Sequence, residues 1–330
     1  MKNNIIKKLI KTTILVLILS NYTYGADQKV LLENSWINIG YSNAKDAMLA
    51  GATTSTGKGY SALFTNPAGL STNYATGLYL RGGTFEHKNA TGAADGSLAK
   101  TDETKFADNY AIGLFYKYAL LEMKPSIHKA LGLAYGFETD YGLFSLGANM
   151  VKDDTDRTNY KKFGTGDYKT VGFQWQKSFI NIDRFYALYF GYSKKGQGVS
   201  QFSGEKIYRV SPLVERMGFG AETNLYSTTV LVTLDLVKQS WSHINDELNT
   251  KSLGLKWMLS NSVSVAVGYS ASDYTTEVDL KDSTTLSAGV ELAIWQANIA
   301  IAALKKEVSN KAGDLYIQEN SLYVDIAFAF

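Results

Sequence analysis

The chain has 330 residues, with 33 basic against 31 acidic side chains, so it offers no strongly basic face for nucleic acid. Its lack of cysteine excludes a disulfide scaffold, a cysteine-anchored lipoprotein, a thiol nucleophile and a thiolate metal site. Twenty-two tyrosines and 29 glycines against three prolines favour strands joined by tight turns, because aromatic side chains suit pleated surfaces and proline removes a ladder donor.

Residues 1–25 read as a secretory signal: Lys2, Lys7, Lys8 and Lys11 precede the apolar stretch Ile14 to Leu19, and Thr23 and Gly25 suit a cleavage site before Ala26. The stretch is far short of the ~20 residues that an uncleaved helical anchor needs. Removal takes four lysines and leaves 29 basic against 31 acidic residues. No later apolar segment is long enough for a spanning helix, so a membrane crossing has to be made by a barrel.

Residues 26–73 form a segment of their own. "GATTSTGKG" at 51–59 has the look of a phosphate loop but lacks its spacing, since Ala52 replaces the first glycine and Gly59 the magnesium-binding hydroxyl. "SALFTNPAGLS" at 61–71 places Asn66, Pro67, Ala68 and Gly69 among apolar residues. Proline supplies a rigid turn, Ala68 and Gly69 allow close backbone approach, and Asn66 can bond backbone groups that no ladder pairs.

From residue 110 to the end, period-two alternation recurs in segments of about ten residues. Val263, Val265, Val267 and Tyr269 alternate with Ser264, Ala266, Gly268 and Ser270, and the same period of two recurs through 228–238 and 250–259. One face is bulky and apolar, whereas the other is small or polar and carries Glu138, Gln174, Gln176, Asp235, Lys256, Glu291 and Asp325. A lipid-facing exterior and a wet or plugged lumen account for both. Tyr116, Tyr118, Trp175, Tyr192 and Trp257 near strand ends suit interfacial girdles. Short connections (139–141, 181–183, 226–227, 260–262) alternate with long polar ones, as in outer-membrane barrels.

Thirteen strands can be marked, beginning with 75–86, 106–118 and 130–138, with 87–105 as a loop. A bacterial barrel with both termini on one side needs an even number, and the parity fails within the first 130 residues. The expectation is an all-β, transmembrane antiparallel β-barrel of about 14 strands, with 12 as the alternative. The last residues, "SLYVDIAFAF", resemble the C-terminal strand by which barrel assembly machinery recognises its clients, with Tyr323, Phe328 and Phe330 as the signal. His87, His128 and His243 are isolated, and Asp153, Asp154 and Asp156 lack the glycine and closing glutamate of a calcium loop, so neither metal, cofactor nor enzyme is expected.

The segment Ala44 to Leu70 resembles the N-terminal region of the FadL/TodX-type superfamily of outer-membrane transport proteins, which includes the related PorV-type barrels. Ala44, Lys45, Gly51 and Ala52 fit the family's first cluster. Ala62, Leu63, Asn66, Pro67, Ala68, Gly69 and Leu70 fit the second, at the family's interval. Met48, Leu49 and Ala50 depart from the family's Gly-Met-Gly, and Lys58-Gly59 stands where PorV-type chains are acidic. The resemblance implies that 26–73 folds into the lumen of the barrel 74–330 as an N-terminal plug, with Asn66, Pro67, Ala68 and Gly69 as its hatch. It implies passive uptake of hydrophobic small molecules such as long-chain fatty acids or hydrocarbons across the outer membrane, with that ligand and outer-membrane lipid as partners. The alternative is a PorV-type secretion or assembly component that binds a protein partner; a purely structural barrel comes third.

Overall fold

The computed structural model describes residues 43–72, 76–92, 98–106, 111–124, 128–153, 167–179, 185–202, 205–208, 212–225, 228–241, 246–275, 280–310 and 315–330. The strands are β1 (Thr76–Gly92), β2 (Leu98–Phe106), β3 (Ala111–Tyr116), β4 (Ala119–Lys124), β5 (His128–Thr139), β6 (Gly142–Asp153), β7 (Tyr168–Ser178) and β8 (Phe185–Lys195). A small hairpin, β9 (Val199–Phe202) and β10 (Glu205–Tyr208), stands apart from the main sheet. The wall continues with β11 (Leu213–Leu225), β12 (Thr228–Trp241), β13 (Asp246–Ser260), β14 (Val263–Thr275), β15 (Leu280–Ile294), β16 (Ala297–Asn310) and β17 (Leu315–Ala329). Each strand pairs antiparallel with its neighbour, and β17 closes the sheet on β1 from Gly77↔Ala329 to Thr91↔Leu315.

β2 and β3 pair with the upper and lower halves of β1 and together act as one interrupted wall strand, so the closed barrel has 14 strands and not 12. The strand missing from the sequence reading is β4. It follows β3 after the two-residue turn Lys117-Tyr118, in which Lys117 takes φ 47° without help from glycine or asparagine. The expected strand 106–118 therefore ends at Tyr116, and both ends of the expected loop 87–105 are strand.

The outer face is apolar from one side of the wall to the other. Leu114, Leu133, Leu146, Leu286 and Leu322 are exposed, Leu286 by 60%. An aromatic ribbon crosses β5 to β11, with ring centroids 5.6 Å apart for Phe137 and Phe144 and 5.3 Å for Phe190 and Phe219. Water does not stabilise such a surface, whereas a bilayer does, and the ladder satisfies the backbone that lipid cannot. The barrel is a transmembrane one. The inner face carries the polar residues instead: Gln174, Asp235 and Asp325 are all buried.

Residues 43–72 lie inside. They comprise α1 (Ala44–Ala47) and two short 3-10 turns, Gly59–Ala62 and Pro67–Thr72. Asn43 caps α1 through Oδ1, which accepts Asp46 N–H at 2.9 Å, and the consecutive positive φ values of Ala50 (49°) and Gly51 (84°) end it. A segment this irregular cannot satisfy its own backbone, so its polar groups depend on side chains of the wall.

Candidate functional site: the lumenal segment and its wall contacts

Asn66 sits at the centre of the interface, with no exposed surface. Its Nδ2 donates to Thr54 O at 2.7 Å and to Phe173 O of β7 at 2.9 Å, while Oδ1 accepts Ala68 N–H at 3.2 Å. One amide thus joins the two halves of the segment and fixes them to the barrel. The wall makes room with glycine: a Cβ on Gly172 would lie 2.0 Å from Asn66 Oδ1, and one on Gly147 would lie 2.4 Å from Pro67 C. Gly191 on β8 and Gly268 on β14 admit Thr54 and Leu49 in the same way. Ala62 and Ala68 are fully buried, and a Cβ on Gly69 would meet Gly57 O at 2.1 Å, so the smallness of this motif is a packing requirement.

The remaining contacts run round the wall. Ala44 N–H donates to Asp325 Oδ2 and Thr54 N–H to Asp235 Oδ2, each at 2.8 Å. Lys45 Nζ lies 2.5 Å from Glu291 Oε1, and Lys256 holds the other oxygen of that carboxylate at the same distance. Asn149 Nδ2 donates to Leu63 O, Gln174 Nε2 to Ser55 O, Ser193 Oγ to Thr65 O and Ser287 Oγ to Met48 O. Ser71 Oγ donates to Ser145 Oγ at 2.7 Å. Ala52 packs with Ala44, Met48, Leu49 and Tyr323 in one apolar cluster.

The lumen has two unlike sides. Along β1 to β7 an apolar cluster sits among the polar contacts: Tyr60, Leu63 and Leu70 of the segment pack with Tyr79, Phe115, Leu120 and Val151 of the wall, and Phe64 joins them. Tyr60 stacks on Tyr79 at 4.8 Å. Burial raises the Tyr60 hydroxyl well above its ordinary pKa, and the carboxylates Asp325 and Glu291 add to the rise. Along β11 to β16 the space beside Gly51 is lined by Arg216, Thr250, Ser270, Thr285 and Lys306. Lys58, although open to solvent, sits 5.3 Å over the Tyr189 ring; the surrounding chain lowers its pKa and Glu222 opposes that.

The apolar side coincides with a weak place in the wall. β4 pairs with β5 only from Ala119↔Leu133 to Lys124↔His128, so below Ala134, whose N–H reaches Tyr118 O at 3.0 Å, β5 is paired on the β6 side alone among the described residues. Above, β2 pairs among the described residues only with β1. Arg81 bridges this stretch from within: its Nε and Nη2 donate to Glu122 Oε2 and Oε1 at 2.8 and 2.6 Å, and Tyr79 O–H donates to the same carboxylate.

Every sequence-predicted residue of the segment therefore lies in one buried body, but the sequence does not reveal its wall partners. Asp235, Gln174, Glu291 and Asp325 stood out only as charged or polar residues on the small-residue face; their spacing gave no sign of what they hold. At the C-terminus Phe328 and Phe330 lie on the outer face, whereas Tyr323 points inward against Ala44 and Met48. The signal reading of residues 1–25 falls outside the described residues, as do Asp154, Asp156 and His243. Among the described residues no group of three His, Asp or Glu side chains is placed to hold a metal ion.

No protein-family profile matches the chain, and no curated protein matches it in sequence. Solved structures do. The toluene transporter TodX of Pseudomonas putida superposes with a TM-score of 0.50 at 12% identity, covering 87% of this chain and 97% of that one. The TodX deltaS2S3 mutant, a monoaromatic hydrocarbon channel, gives 0.53 at 12% identity, over 87% and 99%. This chain has the FadL/TodX-type fold. At that identity the likeness is one of architecture.

Proposed function

We propose that this protein is an outer-membrane channel for passive uptake of hydrophobic small molecules, in which residues 43–72 act as a displaceable hatch. The observation that carries this reading is the buried apolar contact of Tyr60, Leu63 and Leu70 of the segment with Phe115 and Leu120 of the wall, which displacement of the segment would uncover where the wall pairing is thinnest. A hydrocarbon chain is stabilised there by roughly 25 cal/mol per Å² of surface removed from water. The Ser- and Thr-lined side offers it no such gain. The segment is held by apolar packing and by hydrogen bonds that contribute about 0.5–1.5 kcal/mol net each, none of which belongs to the wall ladder, so its displacement leaves most of the wall pairing in place. The thin pairing beside β4 supports a sideways exit into the membrane. Monoaromatic hydrocarbons are what the TodX structures are named for, and long-chain fatty acids extend the same chemistry. Export by the cleaved segment 1–25 and recognition of Phe328 and Phe330 by the barrel assembly machinery complete the reading.

A disulfide lock tests it. The chain has no cysteine, and the Ser71 and Ser145 hydroxyls are 2.7 Å apart, so Ser71→Cys with Ser145→Cys places two thiols where a bond of about 2.05 Å can close. The oxidised variant in vesicles should lose uptake of a fluorescent fatty acid, and reduction should restore it. Equal uptake in both states sinks the reading of the segment as a gate for fatty acids and favours a partner-binding barrel.

A further inference from the structure

The ion pair of Arg81 and Glu122 joins strands that are not neighbours. Arg81 lies on β1 opposite Ala111, at the level where β2 has ended and β3 begins, and Glu122 lies on β4 opposite Gly113. β3 runs between them and gives way: a Cβ on Gly113 would lie 1.9 Å from Tyr79 Cε1. Tyr79 and Arg81 thus reach across β3 and grip one carboxylate on β4. That strand has only six residues, and among the described residues β3 and β5 are the strands beside it.

The same two side chains are covered by the inner segment. The Phe64 ring lies 5.3 Å under the Arg81 guanidinium, and Tyr60 stacks on Tyr79 with the planes 20° apart. Arg81 is 8% exposed and Glu122 not at all. A charge-assisted pair is strong when water is kept from it and contributes little when water reaches it. Its strength therefore depends on where the inner segment sits.

We infer that Arg81 and Glu122 are positioning residues that interlock the segment with the wall: while Phe64 and Tyr60 cover it, the pair fastens β4 to β1, and when the segment withdraws, the pair hydrates and the β3–β4 junction loosens. The inference rests on the hatch reading for its movement, but not for its cargo. It makes the lumenal and lateral openings one event, so that neither opens alone.

Amide hydrogen exchange on the full chain in lipid nanodiscs tests it. Phe64→Ala should speed exchange across 119–124 by about tenfold, with no change across 263–275, because local opening follows local contacts. Ser287→Ala removes a bond to the segment on the opposite side and should leave 119–124 unchanged. The oxidised Ser71→Cys, Ser145→Cys lock should slow exchange across 119–124 relative to its reduced form, and Glu122→Gln should abolish that difference. Glu122→Asp, which retains the charge, should keep part of it. If Phe64→Ala leaves 119–124 at the wild-type rate, or the lock has no effect on those amides, the interlock is refuted. If the lock slows exchange across 119–124 but fatty-acid uptake is unchanged, the segment moves and the interlock stands, and what falls is the assignment of fatty acid as the cargo of that movement.

Discussion

Gly172→Ala is the smallest change that should unseat the inner segment. The added methyl would lie 2.0 Å from Asn66 Oδ1, against an ordinary contact of at least 3.4 Å, so one partner has to move by about 1.4 Å. β7 is paired on both sides, from Leu143↔Gln176 to Val151↔Tyr168 and from Thr170↔Lys195 to Ser178↔Ala187, so the displacement falls on Asn66. Asn66 then loses its bonds to Thr54 O and Phe173 O, of which Thr54 O lies in the buried interior. Overpacking costs about 1–3 kcal/mol, and a buried group left without its partner about 1–3 kcal/mol more. The penalty of roughly 2–6 kcal/mol bears on the segment and not on the ladder. The variant should keep its heat-dependent gel shift and its abundance, while small-solute leak from vesicles rises and proteolysis within 43–72 quickens. In an Asn66→Ala background the 2.0 Å contact is gone and only Pro67 Cδ, at 3.0 Å, still crowds the added methyl, so the added cost of Gly172→Ala should fall by at least about 1 kcal/mol. Additive effects of the two substitutions, or wild-type leak in folded Gly172→Ala, would refute the reasoning.

Tyr60, packed beside Lys45 and near Asp325 and Glu291, is held neutral when the segment is seated, with its pKa raised above the ordinary value of about 10. The stabilisation is fully present below pH ~10 and is lost as pH rises through the seated-state pKa, so vesicle leak should climb above pH ~10, and Tyr60→Phe should remove that component. An identical alkaline profile for the variant contradicts this. Glu122→Gln removes the carboxylate bonded to the buried Arg81 and leaves it with Asp325, opposite it on β17, so it should cost up to about 3–5 kcal/mol in barrel stability, seen as a lower temperature for the gel shift. Arg81→Met with Glu122→Leu should recover much of it; a double variant no better than the single one argues against a charge effect. Phe330→Asp should reduce assembled barrel far more than Lys311→Asp, and equal levels would remove the C-terminal signal.

The wall was legible from the sequence where its two faces face different solvents. Along Val263 to Ser270 every second side chain meets lipid, so composition alone carries the period. The β3–β4 turn was not legible, because Ala111 to Lys124 runs on as apolar sequence and Lys117 turns the chain without a glycine. The motif from Asn66 to Gly69 announced an irregular, tightly packed turn through its own residue types. Its partners did not, since Gly147, Gly172, Gly191, Asp235 and Asp325 are each unexceptional in their own strands. Barrel closure, with its register between strands distant in sequence, decides which residues stand at the same height. Only there do scattered glycines become one surface against which a backbone can lie, and scattered acids and amides become its hydrogen-bond partners. Periodicity along one strand specifies the side to which a residue points, but its height relative to another strand depends on every pairing in between.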